Sequence, residues 1–274
     1  MSRHDKTIDW DKARKELDFV IIRSSVGLKT DPQFVRNALL CGIPFGVYHY
    51  VEAGTAEAAE KEAEYFYHAA RGFSDEKTVY AKNKKPAMVA KEGDISPLFW
   101  AVDIEADAQT RETTETVTRA FLEKLRSFGV RKIGLYANTR RKYMSDELVA
   151  SFDWTWVPRY GPDDGEAHPD EFPPKYPCDI WQYTTVGAID GIDHDVDLNM
   201  LYGEKPLEYF TMRSAVKITG GSVNVREFAG TSSKIVGVAH AGDILERVGL
   251  DGWVPVVWNG RMCWVSWKHA ESVD

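Results

Sequence analysis

The stretch Leu98-Phe99-Trp100-Ala101-Val102-Asp103-Ile104-Glu105 is an apolar run that ends on two acids one residue apart. A short apolar run bounded in this way predicts a buried strand. Strand side chains alternate, so Asp103 and Glu105 fall on one face, their Cα atoms roughly 6.5–7 Å apart. Crowding two carboxylates raises the pKa of one, which then stays protonated while its neighbour remains ionised. Cleavage of a glycosidic bond needs such a pair. Taken alone, the same D-x-E is equally the acid of a helix cap or a loop.

Working outward, apolar strand-like runs alternate with helical periods. Phe19 to Ile22 and Pro44 to Tyr50 read as strands, with a helix over Gln33 to Leu40 between them. Glu57 to Arg71 is a helix rich in Ala and Glu. Thr114 to Phe128 places Val117, Phe121, Leu125 and Phe128 on one face and stops at Gly129. Lys132 to Tyr136 is the next strand, and Ser145 to Phe152 a short helix. This alternation implies parallel strands joined by crossover helices, an α/β barrel whose C-terminal strand ends bind substrate. After residue 153 the strands Trp154 to Tyr160, Cys178 to Tyr183 and Asp195 to Asn199 are linked by Pro, Gly and Asp without a helical period. The reading is an irregular TIM-like barrel of eight strands with fewer helices. Residues 72–97 fit neither pattern and carry Lys77, Lys82, Lys84, Lys85 and Lys91, as a solvated insertion or a basic lip would.

A second acidic group, Asp193-His194-Asp195-Val196-Asp197-Leu198-Asn199, lacks the terminal Glu of a calcium loop. If Val196 and Leu198 pack outward, Asp197 and Asn199 face the barrel interior. Aromatics accompany the acids: Tyr48, Tyr50, Trp100, Tyr136, Trp154, Trp156, Tyr160, Trp181 and Tyr183. Such rings stack on sugar faces or simply fill a core. From Val216 onward the chain shows short alternating strands, with Asn259-Gly260 between two apolar runs as a hairpin signal. That pattern predicts a small all-β barrel.

Bulk composition excludes several classes. Acids outnumber bases 42 to 34 over 274 residues, and the excess lies before residue 212, so nucleic acid is not an expected partner. No run approaches the roughly 18 apolar residues of a membrane span, so no membrane insertion is expected. Met1 to Lys12 lacks the apolar stretch of a secretory signal. Cys41, Cys178 and Cys263 are scattered and read as small buried residues. The seven histidines show neither HxxxH nor HxH spacing. Neither a metal nor a cofactor is expected.

The series Ile8-Asp9-Trp10, Phe19-Val20-Ile21-Ile22-Arg23, Gly46-Val47-Tyr48-His49-Tyr50, Ala101-Val102-Asp103-Ile104-Glu105, Gly134-Leu135-Tyr136-Ala137-Asn138, Ile180-Trp181-Gln182-Tyr183 and Val196-Asp197-Leu198-Asn199 resembles glycoside hydrolase family 25 in order and spacing. The resemblance implies a lysozyme-type muramidase that cuts the β-1,4 bond between N-acetylmuramic acid and N-acetylglucosamine. By that likeness Glu105 matches the general acid and Asp103 its partner, which serves the N-acetyl group or the developing cationic ring. Asp197 matches the acid of the final strand. Arg23, Tyr48, Tyr50, Tyr136, Asn138, Trp156, Trp181 and Tyr183 are the candidate sugar contacts. One departure stands out: the family's opening strand, resembling G-I-D-V-S, would place its Asp just upstream of Met1, and the spacing of Asp5 is wrong for a substitute. An impaired, wall-binding barrel is therefore the alternative reading.

The C-terminal part resembles bacterial SH3 domains through Val223-Asn224-Val225-Arg226, Gly252-Trp253 and Asn259-Gly260-Arg261-Met262-Cys263-Trp264-Val265. That likeness implies binding to wall peptide, with Trp253, Trp258, Trp264 and Trp267 as candidate contacts. The expected layout is a catalytic barrel over 1–204, a linker over 205–212 and an SH3-like module over 213–274. The expected partners are the glycan strand and peptide stem of bacterial peptidoglycan. The expected setting is a phage endolysin held in the host cytoplasm until it is released to the wall.

Overall fold

The computed structural model describes residues 8–73, 90–211, 215–246, 253–259 and 261–272. The chain divides into two compact units, 1–211 and 212–274. Residues 74–89, most of the lysine-bearing segment, lie outside the described residues, as do the opening residues 1–7 with Asp5.

The first unit is a curled sheet with helices on its outer face. A short helix α1 (Trp10–Ala13) leads into β1 (Val20–Val26), β2 (Lys29–Thr30), α2 (Phe34–Leu40), β3 (Phe45–Tyr50), α3 (Ala56–Ala70) and β4 (Trp100–Asp103). Then follow α4 (Thr114–Ser127), β5 (Ile133–Tyr136), α5 (Asp146–Ala150), β6 (Trp154–Pro158), β7 (Ile180–Gly187), β8 (Val196–Leu201) and α6 (Leu207–Thr211). The eight strands lie in the order β2-β1-β3-β4-β5-β6-β7-β8. Neighbours from β1 through β3 to β7 are parallel, as βα alternation requires. The last pairing departs from expectation: β8 runs antiparallel to β7. The link between them holds no crossover helix, so the chain turns back beside β7 instead of crossing the sheet.

Both faces of this sheet are covered. Outward residues such as Ile22, Val47, Val102, Ile133 and Leu135 pack with Phe66 of α3 and Phe121 and Leu125 of α4. Inward residues Ile21, Phe99, Ala101, Trp154, Trp156 and Ile180 form a second cluster that fills the barrel. Two glycines make room for its rings. A Cβ on Gly46 would lie 2.1 Å from the Phe99 ring, and one on Gly134 2.1 Å from Trp154.

Residues 205–212 are not the plain linker expected. They contain α6, whose Phe210 is fully buried with the inward cluster. Its ring stacks on Phe19 at 5.8 Å and meets Phe99 and Trp154 edge-on at 5.3 and 5.4 Å. The apolar stopper at one end of the barrel thus comes from beyond the last strand. The second unit has a four-stranded sheet, β11-β10-β14-β13, and a three-stranded one, β12-β9-β15. The strands are β9 (Ala215–Ile218), β10 (Ser222–Arg226), β11 (Ile235–His240), β12 (Ile244–Glu246), β13 (Trp253–Trp258), β14 (Arg261–Ser266) and β15 (Ala270–Ser272). Trp258 pairs with Arg261, leaving a two-residue turn in which Asn259 has φ of 50°, as a primed hairpin turn demands.

Phe210→Ala removes a ring in contact with Phe19, Phe99, Trp154 and Tyr209 and is expected to destabilise the first unit by about 3–5 kcal/mol. Urea unfolding followed by tryptophan fluorescence measures this, and a cost below about 1 kcal/mol would contradict the stopper role.

Candidate active site

The site grows from the end of β4. Asp103 is in register with Tyr50 of β3 on one side and Tyr136 of β5 on the other. Residues paired across parallel strands share a face, so Tyr50, Asp103 and Tyr136 form one row at the strands' C-terminal ends. Main-chain bonds continue this row past β4: Val51 N–H donates to Asp103 O at 3.0 Å and Ile104 N–H to Tyr136 O at 2.9 Å. They hold the Asp103-Ile104-Glu105 segment extended between its neighbours.

Asp103 is only 5% exposed, and its Oδ1 has no hydrogen-bond partner among the described residues. Burial pushes its carboxyl well above the usual range, the charge of Glu105 adds to this, and the Arg23 guanidinium opposes it. Glu105 is half-buried. Its carboxyl is also raised, first by burial and then by Asp197, with Arg140 pulling the other way. Asp197 reaches this pair because β8 is antiparallel. Its opening residues therefore lie at the rim where the parallel strands end. Asp197 itself is exposed.

Arg23 projects from β1, its Nε donating to Asp31 Oδ2 at 2.9 Å with both side chains nearly buried. Arg140 sits in a 3-10 turn over Thr139–Tyr143, where it donates to Ala106 O at 3.3 Å and pairs with Asp107 at 3.1 Å. Its place in a run of three bases hid it in the sequence. The legible clue was its closeness to Asn138, just past the end of β5.

The walls are aromatic. Trp156 meets Tyr48 edge-on at 6.0 Å and Tyr136 at 4.7 Å, and its indole N–H donates to Asn199 Oδ1 at 2.8 Å. Tyr136 bonds Tyr160, and burial pushes both phenols up. Tyr48 feels Arg23, Asp103 and Asp197, and Tyr50 feels Glu105 and Asp103. The site is thus a half-buried acidic slot with ring faces and phenol tips on its sides. Among the described residues no group of three or more His, Cys, Asp or Glu is placed to hold a metal.

Two expected contacts lie elsewhere. Trp181 pairs with Val157, whereas its neighbour Ile180 pairs with the inward Trp156. Trp181 therefore faces the outer shell, fully buried against Val157 and Cys178, with its indole N–H on Arg159 O at 2.8 Å. Tyr183 packs in the same outer cluster. The inward place belongs to Gln182, which is buried, with an Oε1 that has no partner among the described residues. Asn138 is exposed beyond the end of β5.

In the second unit Trp258 and Trp264 line a groove of about 570 Å³ with Glu227, Phe228, Val236, Asn259 and Cys263. Phe228 is 62% exposed, and its ring lies 5.9 Å from that of Trp264. Trp253 lies under the Arg226 guanidinium at 5.9 Å. The Trp267 side chain falls outside the described residues.

Residues 1–192 match the family described as Glycosyl hydrolases family 25. Among solved structures, GHIP, a glycosyl hydrolase 25 of Streptococcus pneumoniae, aligns with TM-score 0.60 at 23% identity, covering 77% of this chain and 91% of that one. The catalytic domain of endolysin ply40 from bacteriophage P40 of Listeria monocytogenes aligns with TM-score 0.59 at 27% identity, covering 74% and 90%. The spore cortex lytic enzyme SleM of Clostridium perfringens aligns over 100% of this chain and 84% of that one, with TM-score 0.58 at 18% identity. At their identities the first and third speak for the fold. No curated protein sequence matches the chain.

A raised carboxyl pKa makes the folded protein hold its proton to higher pH than the unfolded chain does. Stability is therefore lowered above the folded pKa and recovered as pH falls below the unfolded value. Asp103→Asn is expected to raise Tm at pH 7, by about 2–4 °C for each kcal/mol relieved. The gain should shrink as pH falls from the raised folded value and be gone below the ordinary aspartate range near about 3.9. Calorimetry of both proteins across pH measures the difference, and a pH-independent or negative one would contradict the burial argument.

Proposed function

Because the chain belongs to glycosyl hydrolase family 25, we propose that it hydrolyses peptidoglycan, cutting the β-1,4 bond between N-acetylmuramic acid and N-acetylglucosamine. The observation that carries this reading is the carboxylate set: Asp103 and Glu105 both raised in pKa, with Asp197 acting on Glu105 from the opposite strand direction. The endolysin neighbour at 27% identity supports the wall substrate and a phage setting, in which the enzyme waits in the host cytoplasm until wall access opens.

In this reading Glu105 keeps its proton to higher pH than a free glutamate and gives it to the departing sugar oxygen. Its partial exposure lets a sugar approach. Asp103, with an oxygen that has no hydrogen-bond partner among the described residues, faces the substrate's N-acetyl group or the positive charge that grows on the ring. The charge of Asp197 beside Glu105 helps keep that proton in place. Arg23 opposes the rise at Asp103 and Arg140 opposes it at Glu105. Tyr48, Tyr50, Tyr136 and Trp156 present ring faces and tips to the sugars.

Glu105→Gln keeps shape and hydrogen bonding but cannot protonate the leaving group, so turbidity clearance of purified walls should slow about 10²–10⁴-fold while sedimentation with walls persists. Mass spectrometry of the wild-type digest should show new muramic acid reducing ends. Walls left intact by the wild-type protein would turn the reading to a wall-binding barrel.

The tryptophan groove of the second unit suits wall peptide, through Trp258 and Trp264 with Trp253 and Trp267 as further candidates. A weak binder tethered to the enzyme raises its local concentration on the wall. The cut that isolates the barrel belongs after Thr211, since an earlier one removes Phe210. A chain ending there should lose wall binding and turbidity clearance more than cleavage of soluble glycan, and equal losses in both assays would contradict the division.

A further inference from the structure

Behind the cleft, on the outer face of the sheet, lies a buried polar chain that the proposed chemistry does not use. In the pairing of β1 with β3, Arg23 is opposite Tyr48 and Ser25 opposite His49, so Ser24 is the extra residue of a bulge. Bulges re-aim side chains next to active sites. Ser24, Ser25 and His49 are fully buried and Glu62 nearly so. Ser24 Oγ is 3.1 Å from Ser25 Oγ, Ser25 Oγ is 2.8 Å from His49 Nδ1, and His49 Nε2 is 3.2 Å from Glu62 Oε2. The same Glu62 oxygen accepts the Glu52 N–H at 2.9 Å, just past β3. Phe66 and Phe121 lie 5.2 and 5.3 Å from the imidazole.

At the imidazole the donors run one way. Burial lowers the pKa of His49, so the ring is neutral and has one N–H. A carboxylate only accepts, which assigns that N–H to Nε2. Nδ1 then accepts from Ser25, and the one Ser24 hydroxyl hydrogen is shared between Ser25 Oγ and, at 3.4 Å, the Tyr48 carbonyl oxygen. Each link sits beside a cleft residue. Arg23 immediately precedes the bulge, Asp31 N–H bonds Ser24 O at 2.8 Å, and Asp31 holds the Arg23 guanidinium. Tyr48 and Tyr50 flank His49 on the opposite face of β3.

We infer that His49, through Ser25 and Glu62, is a positioning residue that fixes the β1 bulge and the end of β3, and so aims Arg23, Tyr48 and Tyr50 into the cleft. It touches no substrate. Loosening the bulge moves Arg23 away from Asp103, whose other close charge is Glu105. The inference rests on the glycosidase reading only for its activity readout.

Ser25→Ala, in the full chain, removes the donor to Nδ1 at little change in volume. It is expected to lower kcat/KM on soluble wall glycan about tenfold, chiefly through kcat, as misplaced cleft groups do. In a carbon-13 NMR titration, the Asp103 carboxyl should move to a higher midpoint, and Ser25→Thr should restore both quantities. An unchanged Asp103 midpoint in folded Ser25→Ala overturns the inference whatever the activity. A moved midpoint in a protein that cleaves no wall glycan upholds it while the muramidase reading fails. If Ser25→Ala does not fold, Glu62→Gln reads the same midpoint: an upward move is expected, and no move overturns the inference.

Discussion

The fold is organised around one electrostatic demand: three carboxylates must share one mouth, two of them poorly solvated, with little positive charge to offset them. Buried, closely spaced acids resist ionisation together, and Asp103 and Glu105 show this in raised pKa values with Arg23 and Arg140 as the opposing charges. Three structural facts bring it about. The two-residue repeat of β4 puts Asp103 on the inward face. Main-chain bonds from β3 and to β5 carry the extended chain past the strand to Glu105. The reversed direction of β8 brings Asp197 to the same rim. Below the acids, Phe19, Phe99, Trp154 and Phe210 fill the interior. That plug needs Gly46 and Gly134, since a methyl group at either would collide with a ring.

Much of this was legible in the chain. The strands and the longer helices are announced by apolar period and by stops such as Gly129, while the structure shows Thr55 and Ser145 accepting main-chain N–H groups as caps of α3 and α5. Asp103 and Glu105 stand out because an apolar run ends on them. What period cannot say is which face of a strand points inward when both faces are buried. In Ile180-Trp181-Gln182-Tyr183 the aromatics look like sugar contacts, yet register against β6 turns Trp181 outward and Gln182 inward. A sheet packed on both sides gives apolar residues to both parities, so only the partner strand decides.

The direction of β8 was hidden for a related reason. The Asp195–Asn199 strand has the same alternation whether it runs up or down, and only the missing crossover helix hints at reversal. Phe210 was hidden by composition. Gly203-Glu204-Lys205-Pro206 looks like a joint, and five residues of helix beyond it are too few to show a period. The basic groups were obscure because Arg140 lies among other surface bases, and its effect on Glu105 depends on a loop geometry set by the Ala106 carbonyl and Asp107.

The acidic mouth also makes sense of the polar groups behind it. An apolar filling would stabilise the layer under α3 and α4 at least as well as Ser24, Ser25, His49 and Glu62 do, because buried polar networks rarely add net stability. Gln109 is a parallel case: fully buried, it donates at 2.8 and 2.9 Å to the carbonyls of Val51 and Ala53, tying the loop after β3 to the segment that follows Glu105. Apolar packing tolerates small slips, whereas a directional hydrogen-bond chain is satisfied in one register only. Mutually repelling carboxylates tend to push their strand ends apart. A scaffold that must hold them in place gains more from such bonds behind β1 and β3 than from a few further methyl groups.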